Sequence, residues 1–273
     1  MVNVQEKYVS EILTKSKLPD ADYVVNPYIG CPHKCIYCYA EFMKRFTNHV
    51  GDVWGDFIDV KVFSNKVSSQ KLKNRCVLIS SVTDPYNYFE AKYGSTRRVL
   101  ENLVNTETRV EILTKSSLVL KDLDLIKKFK NIRIGISLNT LDESFRKKIE
   151  PRASSIQNRL QALKTLKNEN ISTYLFISPM FPEITDYKSI LQATRDYVDC
   201  YYFENLNLRA GYKTKVLTLI KNYYPHLVAL YDKIFCQSKH IYWENLKNDI
   251  ENDLRKSEKE YKIYFYHDEI KKK

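Results

Sequence analysis

Short apolar runs, rich in β-branched and aromatic residues, alternate with longer amphipathic segments over most of the 273-residue chain. Runs of this kind are typical of strands in a parallel sheet that is covered on both faces, and the segments between them have helical spacing. In segment 156–168 the apolar residues recur every three or four positions, at Ile156, Leu160, Leu163 and Leu166. The predicted strands are YVVNPYI (23–29), CVLISSV (76–82), RVEILTK (109–115), IRIGISL (132–138), STYLFIS (172–178) and CYYFENLNL (200–208).

This alternation predicts the fold class. Strands that alternate with helices of this length form βαβ units, and such units build a parallel sheet. Six units fit between residues 23 and 210, interrupted over 44–73 by a tryptophan-containing insertion with an extra strand at VKVF. From Thr214 onward the pattern becomes helical, with no further parallel strand. We therefore predict an α/β domain over 1–213 and a helical C-terminal extension over 214–273 that packs on it.

Composition and charge indicate where the protein is located and what kind of partner it binds. No apolar run approaches the roughly 20 residues that span a bilayer, and the first residues lack the apolar core of a secretory signal, so we expect a cytoplasmic protein without membrane contact. Lys and Arg number 44 against 33 Asp and Glu, a net charge of +11. That excess favours a polyanionic partner such as nucleic acid, although a lysine-rich solvated surface would have the same composition.

Three of the six cysteines are crowded into eight residues, directly after the first predicted strand, at Cys31, Cys35 and Cys38. This pattern is not that of a disulfide framework. Thiolates are soft ligands that suit iron–sulfur clusters or zinc. Three of them can bind three irons of a [4Fe–4S] cluster and leave the fourth iron open to a substrate or cofactor.

A structural zinc ion is the alternative for this loop, with His33 or His49 as the fourth ligand. The chain would then be a zinc-stabilised module that binds nucleic acid without catalysis. Zinc sites, however, usually combine two separated pairs of ligands, and no second CxxC or HxxxH follows downstream.

The segment CPHKCIYCY resembles the CxxxCxxC signature of the radical S-adenosylmethionine (SAM) superfamily, including the aromatic residue before the third cysteine, here Tyr37. The resemblance implies a partial (β/α)6 TIM-like barrel, a [4Fe–4S] cluster bound by the three cysteines, and SAM chelated by the free iron. It also implies a one-electron donor such as flavodoxin or ferredoxin. The reduced cluster cleaves SAM to methionine and a 5′-deoxyadenosyl radical, which abstracts hydrogen from a substrate.

The resemblance extends over residues 24–210. The segments SSVTDPYNYFE, ILTKS, ISLNT, EPRASSIQNRLQAL and FISPMFPEITD are similar to the branch related to spore photoproduct lyase, and within it to radical SAM mobile pair proteins. This lineage and the basic charge favour a nucleic-acid substrate and make a second radical SAM protein a candidate partner. The alternative within the superfamily is an enzyme that modifies a peptide or protein.

The resemblance also assigns contacts with SAM, at the carboxyl ends of strands where a barrel places its working residues. Lys115 and Ser137 match positions that contact SAM, and Tyr37 and Tyr39 match aromatic residues on the adenine side. Arg152 is a second candidate for the SAM carboxylate. Lys115 could equally be a surface lysine, and Arg152 could serve only to pair with or cap the following helix.

Other polar residues near the predicted strand ends have more than one interpretation. Asp84, in TDPYNYFE, is either a turn residue or part of the site. Glu90 is expected either at the SAM amino group or paired with Arg97 or Arg98. Tyr86 and Tyr88 are the tyrosines that we would test first as radical relays.

One position departs from the lyase pattern. Spore photoproduct lyase carries a cysteine three residues before the equivalent aspartate, and that thiol returns a hydrogen atom to the substrate radical. Here the position is Ser81, whose O–H bond is too strong to donate a hydrogen atom readily. Cys76 and Cys200 begin their strands, at the far end, and cannot replace the thiol. Repair of the spore thymine dimer is therefore not predicted.

Overall fold

The computed structural model of the chain describes residues 1–18, 20–64, 69–237, 241–255, 257 and 259–265. The strands are β1 (Asn3–Tyr8), β2 (Leu13–Lys15), β3 (Tyr23–Val25), β4 (Tyr28–Ile29), β5 (Phe57–Val62), β6 (Cys76–Ile79), β7 (Arg109–Thr114), β8 (Ile132–Ser137), β9 (Ser172–Met180), β10 (Cys200–Asn205) and β11 (Glu260–Tyr264). The helices are α1 (Ser69–Leu72), α2 (Glu90–Tyr93), α3 (Ser95–Leu103), α4 (Leu123–Ile126), α5 (Glu143–Ile149), α6 (Ile156–Asn168), α7 (Tyr187–Thr194), α8 (Ala210–Tyr223), α9 (Val228–Phe235) and α10 (Ile241–Leu254). Short 3₁₀ helices cover Tyr39–Phe46, Ser117–Asp122 and Pro225–Leu227.

Eight strands form one sheet in the spatial order β11-β10-β9-β8-β7-β6-β3-β2. All neighbouring pairs from β11 to β3 are parallel, whereas β2 is antiparallel to β3. The two ends of the sheet approach each other, because Asp20 before β3 accepts hydrogen bonds from Lys262 Nζ at 2.7 Å and Tyr264 Oη at 2.6 Å. The sheet is a partial parallel barrel, which confirms the predicted α/β class.

The six predicted strands are present, but some of them stop before their apolar runs end. The first run divides into β3 and β4 at Asn26-Pro27, because proline has no N–H for a ladder hydrogen bond. The second run stops at Ile79, because Ser80 has a φ of 72°. That left-handed conformation ends an extended strand.

A second, smaller sheet has the order β1-β5-β4. Strand β5 contains most of the VKVF segment that was predicted as an extra strand, while β1 and β2 were not predicted. The apolar side chains of Tyr28, Ile58 and Val60 are buried in this sheet and form a small core of their own. This sheet supports the loop that follows β4, where the three cysteines lie.

The part of the chain after Thr214 contains α8, α9 and α10, as expected, but the expectation of no further parallel strand is wrong. Strand β11 pairs in parallel with β10, in register from Cys200 opposite Glu260. Its segment EYKIY alternates charged with apolar residues, a period-two pattern that the surrounding lysines and glutamates obscure. The domain boundary at residue 213 stays a prediction, and residues 266–273 lie outside the described part.

The main core lies between the sheet and the helices that cover it. In α6 the predicted apolar face is confirmed, with Ile156, Leu163 and Leu166 buried. The same face carries Arg159, which is fully buried although it is charged. No helix in the described ranges has both the length and the apolar composition for crossing a membrane.

Candidate active site

The carboxyl ends of the parallel strands meet at one edge of the partial barrel, because parallel strands all point the same way. The loop that carries the cysteines follows β4 at this edge. Buried polar side chains surround the edge, and they belong to Ser80, Asp84, Thr114, Ser137, Asn139, Ser178 and Asn205. Polar residues are costly to bury in a core, so their concentration at one edge marks it as the working face.

The cysteine loop begins at Gly30, which has a φ of +85°. A Cβ atom at Gly30 would lie 2.6 Å from the Phe57 carbonyl oxygen and 2.9 Å from the Phe57 ring. The loop turns at Cys31, whose carbonyl accepts the Lys34 N–H at 3.4 Å, and again at Cys35, whose carbonyl accepts the Cys38 N–H at 3.3 Å. Two tight turns thus bring three cysteines close together.

The three thiols are close enough to affect one another's ionisation. Burial raises the pKa of the Cys31 thiol, and Asp84, Cys35 and Cys38 raise it further. Burial likewise raises the pKa of Cys35 and Cys38. Thiols in such a site lose their protons when a metal centre supplies positive charge, so metal binding here would release protons.

The surroundings of the thiols fit an iron–sulfur cluster. Cys31 packs in an apolar group with Ala40, Trp54 and Phe57, which excludes water. Burial raises the pKa of the Cys38 thiol, while the backbone N–H of Ala40 and the side chain of Trp54 lower it by less. N–H groups that point at cluster sulfurs are among the features by which proteins set cluster potentials.

The zinc alternative loses one of its two proposed fourth ligands. Both ring nitrogens of His49 contact carboxylates, Nδ1 at 2.6 Å from Asp52 and Nε2 at 2.9 Å from Asp59. Its ring also stacks on Phe57 with centroids 3.8 Å apart. Among the described residues, no group of three or more His, Cys, Asp or Glu side chains is placed around a single ion, whereas the cysteines of a cubane bind separate irons.

The end of α5 and the segment between α5 and α6 hold the cysteine loop in place. The Ile149 carbonyl accepts the Ile36 N–H at 3.0 Å, and the Arg152 N–H donates to the His33 carbonyl at 3.3 Å. Between these two bonds, the Tyr37 hydroxyl donates to the Glu150 carboxylate. The position of the loop therefore depends on residues more than 110 positions away in sequence.

Glu150 forms a fully buried ion pair with Arg159. The guanidinium also donates to the carbonyls of Ser137 and Ser154, both at 2.9 Å. Burial opposes ionisation of Glu150, but the charges of Arg159 and Lys115 and the hydrogen bond from Tyr37 outweigh it, so the pKa of Glu150 is lowered. The carboxylate is thus an ionised anchor for Tyr37.

Lys115 lies beside the same group, with Nζ 5.8 Å from the centroid of the Tyr37 ring. Burial disfavours its charge, yet Glu150 and Cys35 raise the pKa of Lys115 above its ordinary value. Lys115 is half-buried next to the cysteine loop and is not a free surface lysine. A protonated amine in this place fits the predicted contact with the SAM carboxylate, which stays a prediction.

The other predicted SAM contacts occupy different surroundings, and their roles also stay predictions. Ser137 is buried and its hydroxyl donates to the Ser178 carbonyl at 3.3 Å. Tyr39 is exposed and donates to the Ser81 carbonyl. Arg152 forms the predicted alternative, a salt bridge, but with Asp56 at 3.1 Å and not with the following helix.

Asp84 and Glu90 have structural partners. Asp84 accepts hydrogen bonds from Thr114 Oγ1 at 2.6 Å, from the Lys115 N–H at 2.7 Å and from the Tyr86 N–H at 2.9 Å, so it ties the end of β6 to the end of β7. Glu90 accepts the N–H groups of Thr96 at 2.8 Å and Arg97 at 3.2 Å. It therefore caps α3 through backbone groups.

The tyrosines that we would test first as relays differ in exposure. Tyr86 is fully buried, and its hydroxyl donates to Asp122 at 3.1 Å. Tyr88 is exposed and lies against Phe89. Of the two, Tyr88 alone is accessible from solvent.

Sequence reasoning missed Glu150, Arg159 and Trp54. Arg159 had a signal, because it occupies the apolar face of α6, between Ile156 and Leu163, where a surface arginine has no place. Glu150 and Trp54 had none of this kind. Their roles depend on contacts with distant parts of the chain.

We expect Gly30→Ala to destabilise the cysteine loop. The new Cβ would meet the Phe57 carbonyl, and the positive φ would add strain, together about 1–3 kcal/mol. The midpoint temperature of thermal denaturation and the iron bound per chain after anaerobic reconstitution would both fall. Gly211→Ala is the matched control, because its Cβ meets nothing within 4 Å and alanine favours the α8 helix. Equal behaviour of the two variants would contradict this account of the loop.

A partial parallel barrel that carries three clustered cysteines at the carboxyl ends of its strands fits an iron–sulfur enzyme whose cluster these thiols would hold. The sequence model of the radical SAM superfamily matches residues 25–192, and the chain belongs to this superfamily. Its cofactors are a [4Fe–4S] cluster and SAM, as predicted, and enzymes of this kind need an electron donor.

Two individual proteins are similar to the chain in sequence. The chain is 39% identical over 204 residues to an uncharacterized protein of Methanocaldococcus jannaschii, covering 74% of this chain and 77% of that protein. It is 27% identical over 172 residues to the radical SAM Nalpha-GlyT isomerase of Pseudomonas phage M6, covering 61% of this chain and 35% of that enzyme. Of these two relatives, the phage enzyme is named as a radical SAM enzyme, and neither match gives a substrate for this chain.

Solved structures of spore photoproduct lyase share the fold. The lyase complexed with dinucleoside spore photoproduct superposes with a TM-score of 0.59 at 18% identity, covering 81% of this chain. The chain spans 66% of the length of that lyase. A mutant of the lyase with bound AdoMet, which is SAM, superposes equally well. The predicted lyase-like fold is confirmed, whereas membership among mobile pair proteins stays a prediction.

Proposed function

We propose that the protein removes a hydrogen atom from a nucleic-acid substrate, with a flavodoxin or ferredoxin as the source of the electron. When bound, the reduced cluster and SAM supply the 5′-deoxyadenosyl radical that performs this step. The observation that carries the proposal is the cysteine loop at the carboxyl ends of the strands, with the protonated Lys115 beside it.

Residues of the chain would prepare the site in three ways. Tyr37, held by Glu150, sets the position of the cysteine loop. Lys115 provides positive charge for a carboxylate, and Asp84 orients the backbone N–H of Lys115 by accepting from it. Trp54 and Phe57 keep water from the Cys31 thiol, which strengthens electrostatic interactions inside the site.

Two observations support nucleic acid as the substrate class. The net charge is +11, and a basic protein approaches phosphate backbones readily. The lyase with the same fold is complexed with a dinucleoside. A protein or peptide substrate is the rival, and a second radical SAM protein stays a predicted partner.

The geometry at Ser81 makes thymine-dimer repair a poor candidate. The Ser81 carbonyl accepts a hydrogen bond from the Tyr39 hydroxyl. The Ser81 N–H donates to Asn26 Oδ1 at 2.9 Å, and the Ser81 hydroxyl accepts from Asn26 Nδ2 at 3.3 Å. No sulfur is present at this position, so a hydrogen atom would have to return to the substrate from another donor. We therefore propose either a rearrangement or a net hydrogen-removing reaction, in which the substrate radical passes one electron to the oxidised flavodoxin or ferredoxin and loses a proton to form a double bond, and not a thiol-dependent repair.

A deuterium-transfer assay tests the substrate class. Cells grown in D₂O would supply a nucleic-acid fraction and a protein fraction, each incubated with the cluster-loaded enzyme, SAM and dithionite. We expect deuterium to enter 5′-deoxyadenosine from the nucleic-acid fraction, because the hydrogen removed from the substrate is delivered to that product. Mass spectrometry of 5′-deoxyadenosine is the readout. Transfer from the protein fraction alone would make the enzyme a protein-modifying one.

A further inference from the structure

The 3₁₀ helix Tyr39–Phe46, which directly follows the third cysteine, has an unusual division of faces. Its inner face is small and apolar, with Ala40 buried and Met43 packed against the group of Cys31 and Trp54. Its outer face carries three aromatic rings, Tyr39, Phe42 and Phe46, which are 54%, 38% and 72% exposed. We call these three residues the aromatic row.

The aromatic row starts at the active site and leads away from it. The Tyr39 hydroxyl donates to the Ser81 carbonyl, which places the first ring at the end of β6. The rings of Tyr39 and Phe42 are 6.3 Å apart and inclined by only 21°. Phe46 follows at 6.2 Å from Phe42, edge to face. A ligand that extends from the active site along this helix would meet three rings in succession.

Exposure of these rings is costly to the fold. Burying a phenylalanine side chain contributes about 1.5–3 kcal/mol, so a row of exposed aromatic rings forgoes stabilisation that packing would provide. Contiguous apolar surface on a folded protein usually marks an interaction site. The location beside the cysteine loop links that interaction to the substrate.

The charge around the aromatic row favours an anionic ligand. Lys44 and Arg45 lie in the last turn of the same helix, and in the described part of the chain neither forms a salt bridge. The acidic residue of the helix, Glu41, is neutralised by Lys215 of α8 at 3.2 Å. Aromatic rings interleaved with cations are the combination that binds single-stranded nucleic acid, because bases stack on the rings while cations contact phosphates.

We propose that the aromatic row binds bases of a single-stranded nucleic acid next to the nucleotide that loses its hydrogen atom, with Lys44 and Arg45 at the adjacent phosphates. The proposal rests on the proposed nucleic-acid substrate and specifies its form: the target strand is unpaired at the enzyme. A duplex substrate would have to be opened first, because stacked and paired bases do not expose their faces to side chains.

Fluorescence anisotropy with the full-length, cluster-loaded enzyme and SAM under anaerobic conditions tests this proposal. The probes are short labelled oligodeoxyadenylate and oligoadenylate, which separate DNA from RNA, and a duplex of the same length. Phe46→Ala and Phe42→Ala are each expected to weaken single-strand binding roughly 5- to 100-fold. Phe46→Leu should weaken it nearly as much, because leucine keeps apolar area but has no aromatic face. In an oligonucleotide that carries 2-aminopurine, stacking on the aromatic row quenches the fluorescence of this base. The fluorescence should recover with Phe46→Ala.

Two controls separate the outcomes. Tyr8→Ala removes a ring that is 80% exposed at the far end of β1, and it should leave binding unchanged. Arg45→Gln should lower the slope of log K against log salt by about 1, as loss of one phosphate contact does. If wild type binds no oligonucleotide, the nucleic-acid substrate class itself is wrong. If wild type binds and the phenylalanine variants bind equally well, only the aromatic row is wrongly assigned.

A protein electron donor is the other occupant that this surface could accept. Cluster reduction by flavodoxin and by dithionite would be compared in wild type and Phe46→Ala. Slower reduction by flavodoxin alone, with oligonucleotide binding unaltered, would identify the aromatic row as the docking site of the donor and overturn our proposal.

Discussion

Cys35→Ala is expected to reduce SAM cleavage to the level of an enzyme-free control. Two remaining thiolates cannot hold a cubane that keeps one iron open, since that arrangement takes three protein ligands. Iron per chain should fall from roughly four to near zero after anaerobic reconstitution, and dithionite should release no 5′-deoxyadenosine or methionine. The measurements are iron analysis, visible absorption and chromatography of the two products.

The matched control for this loss is Cys236→Ala. Cys236 is an exposed cysteine just after α9, so its removal changes the cysteine count without touching the loop. It should bind iron and cleave SAM as wild type does. If Cys35→Ala released as much 5′-deoxyadenosine as Cys236→Ala, the assignment of the cysteine loop as the catalytic centre would be wrong.

Arg159→Met should produce the largest loss of stability. Removing one partner of a fully buried ion pair leaves the Glu150 carboxylate with only Lys115 as a nearby cation, and breaking a buried pair typically costs about 3–5 kcal/mol. Because Glu150 also holds Tyr37, we expect the variant to retain less iron than wild type. Urea denaturation of the cluster-free protein, followed by circular dichroism, measures the free energy of unfolding.

Companion variants distinguish the ion pair from a general packing defect. Arg159→Met combined with Glu150→Gln removes both charges of the pair and should recover part of the stability, although Lys115 then loses its nearby carboxylate. Lys127→Gln removes one partner of an exposed salt bridge, in which Lys127 Nζ and Glu169 Oε2 are 2.5 Å apart. We expect it to lower the free energy of unfolding by less than about 1 kcal/mol. If Arg159→Met does not fold, Tyr37→Phe replaces it in the comparison, because this change removes only the hydroxyl bonded to Glu150. If Arg159→Met lowers the free energy of unfolding no more than Lys127→Gln does, the role assigned to the buried pair is wrong.

Much of the fold was predictable because its signals are local. The six strands have apolar runs, and α6 has the spacing of a buried face, so each could be recognised from neighbouring residues. Strand β11 escaped prediction because its apolar residues alternate with charges in a lysine- and glutamate-rich segment. Its pairing partner, β10, is about 60 residues away. Edge strands of this kind depend on the sheet that receives them.

Some residues of the site were likewise predictable from the sequence, and the partners of others were not. Cys31, Cys35 and Cys38 could be predicted as cluster ligands because a metal-binding loop concentrates its ligands in a short stretch, and this stretch lies within the part of the chain that matches the superfamily. Arg152 was a reasonable candidate for SAM because arginine binds carboxylates, but in the folded chain its guanidinium meets Asp56. Sequence alone does not reveal which acid an arginine will reach.

Residue types and their spacing along the chain were enough to establish the parallel α/β class and the superfamily and to predict the cluster ligands, because those features depend on residues that are near one another in sequence. Folding in three dimensions settled the rest: Glu150 joined to Arg159 and Tyr37, His49 held by two aspartates, and an aromatic row facing solvent beside the cysteine loop. Such contacts depend on which distant segments pack together, and the energy of burial and charge pairing, rather than local propensity, selects them.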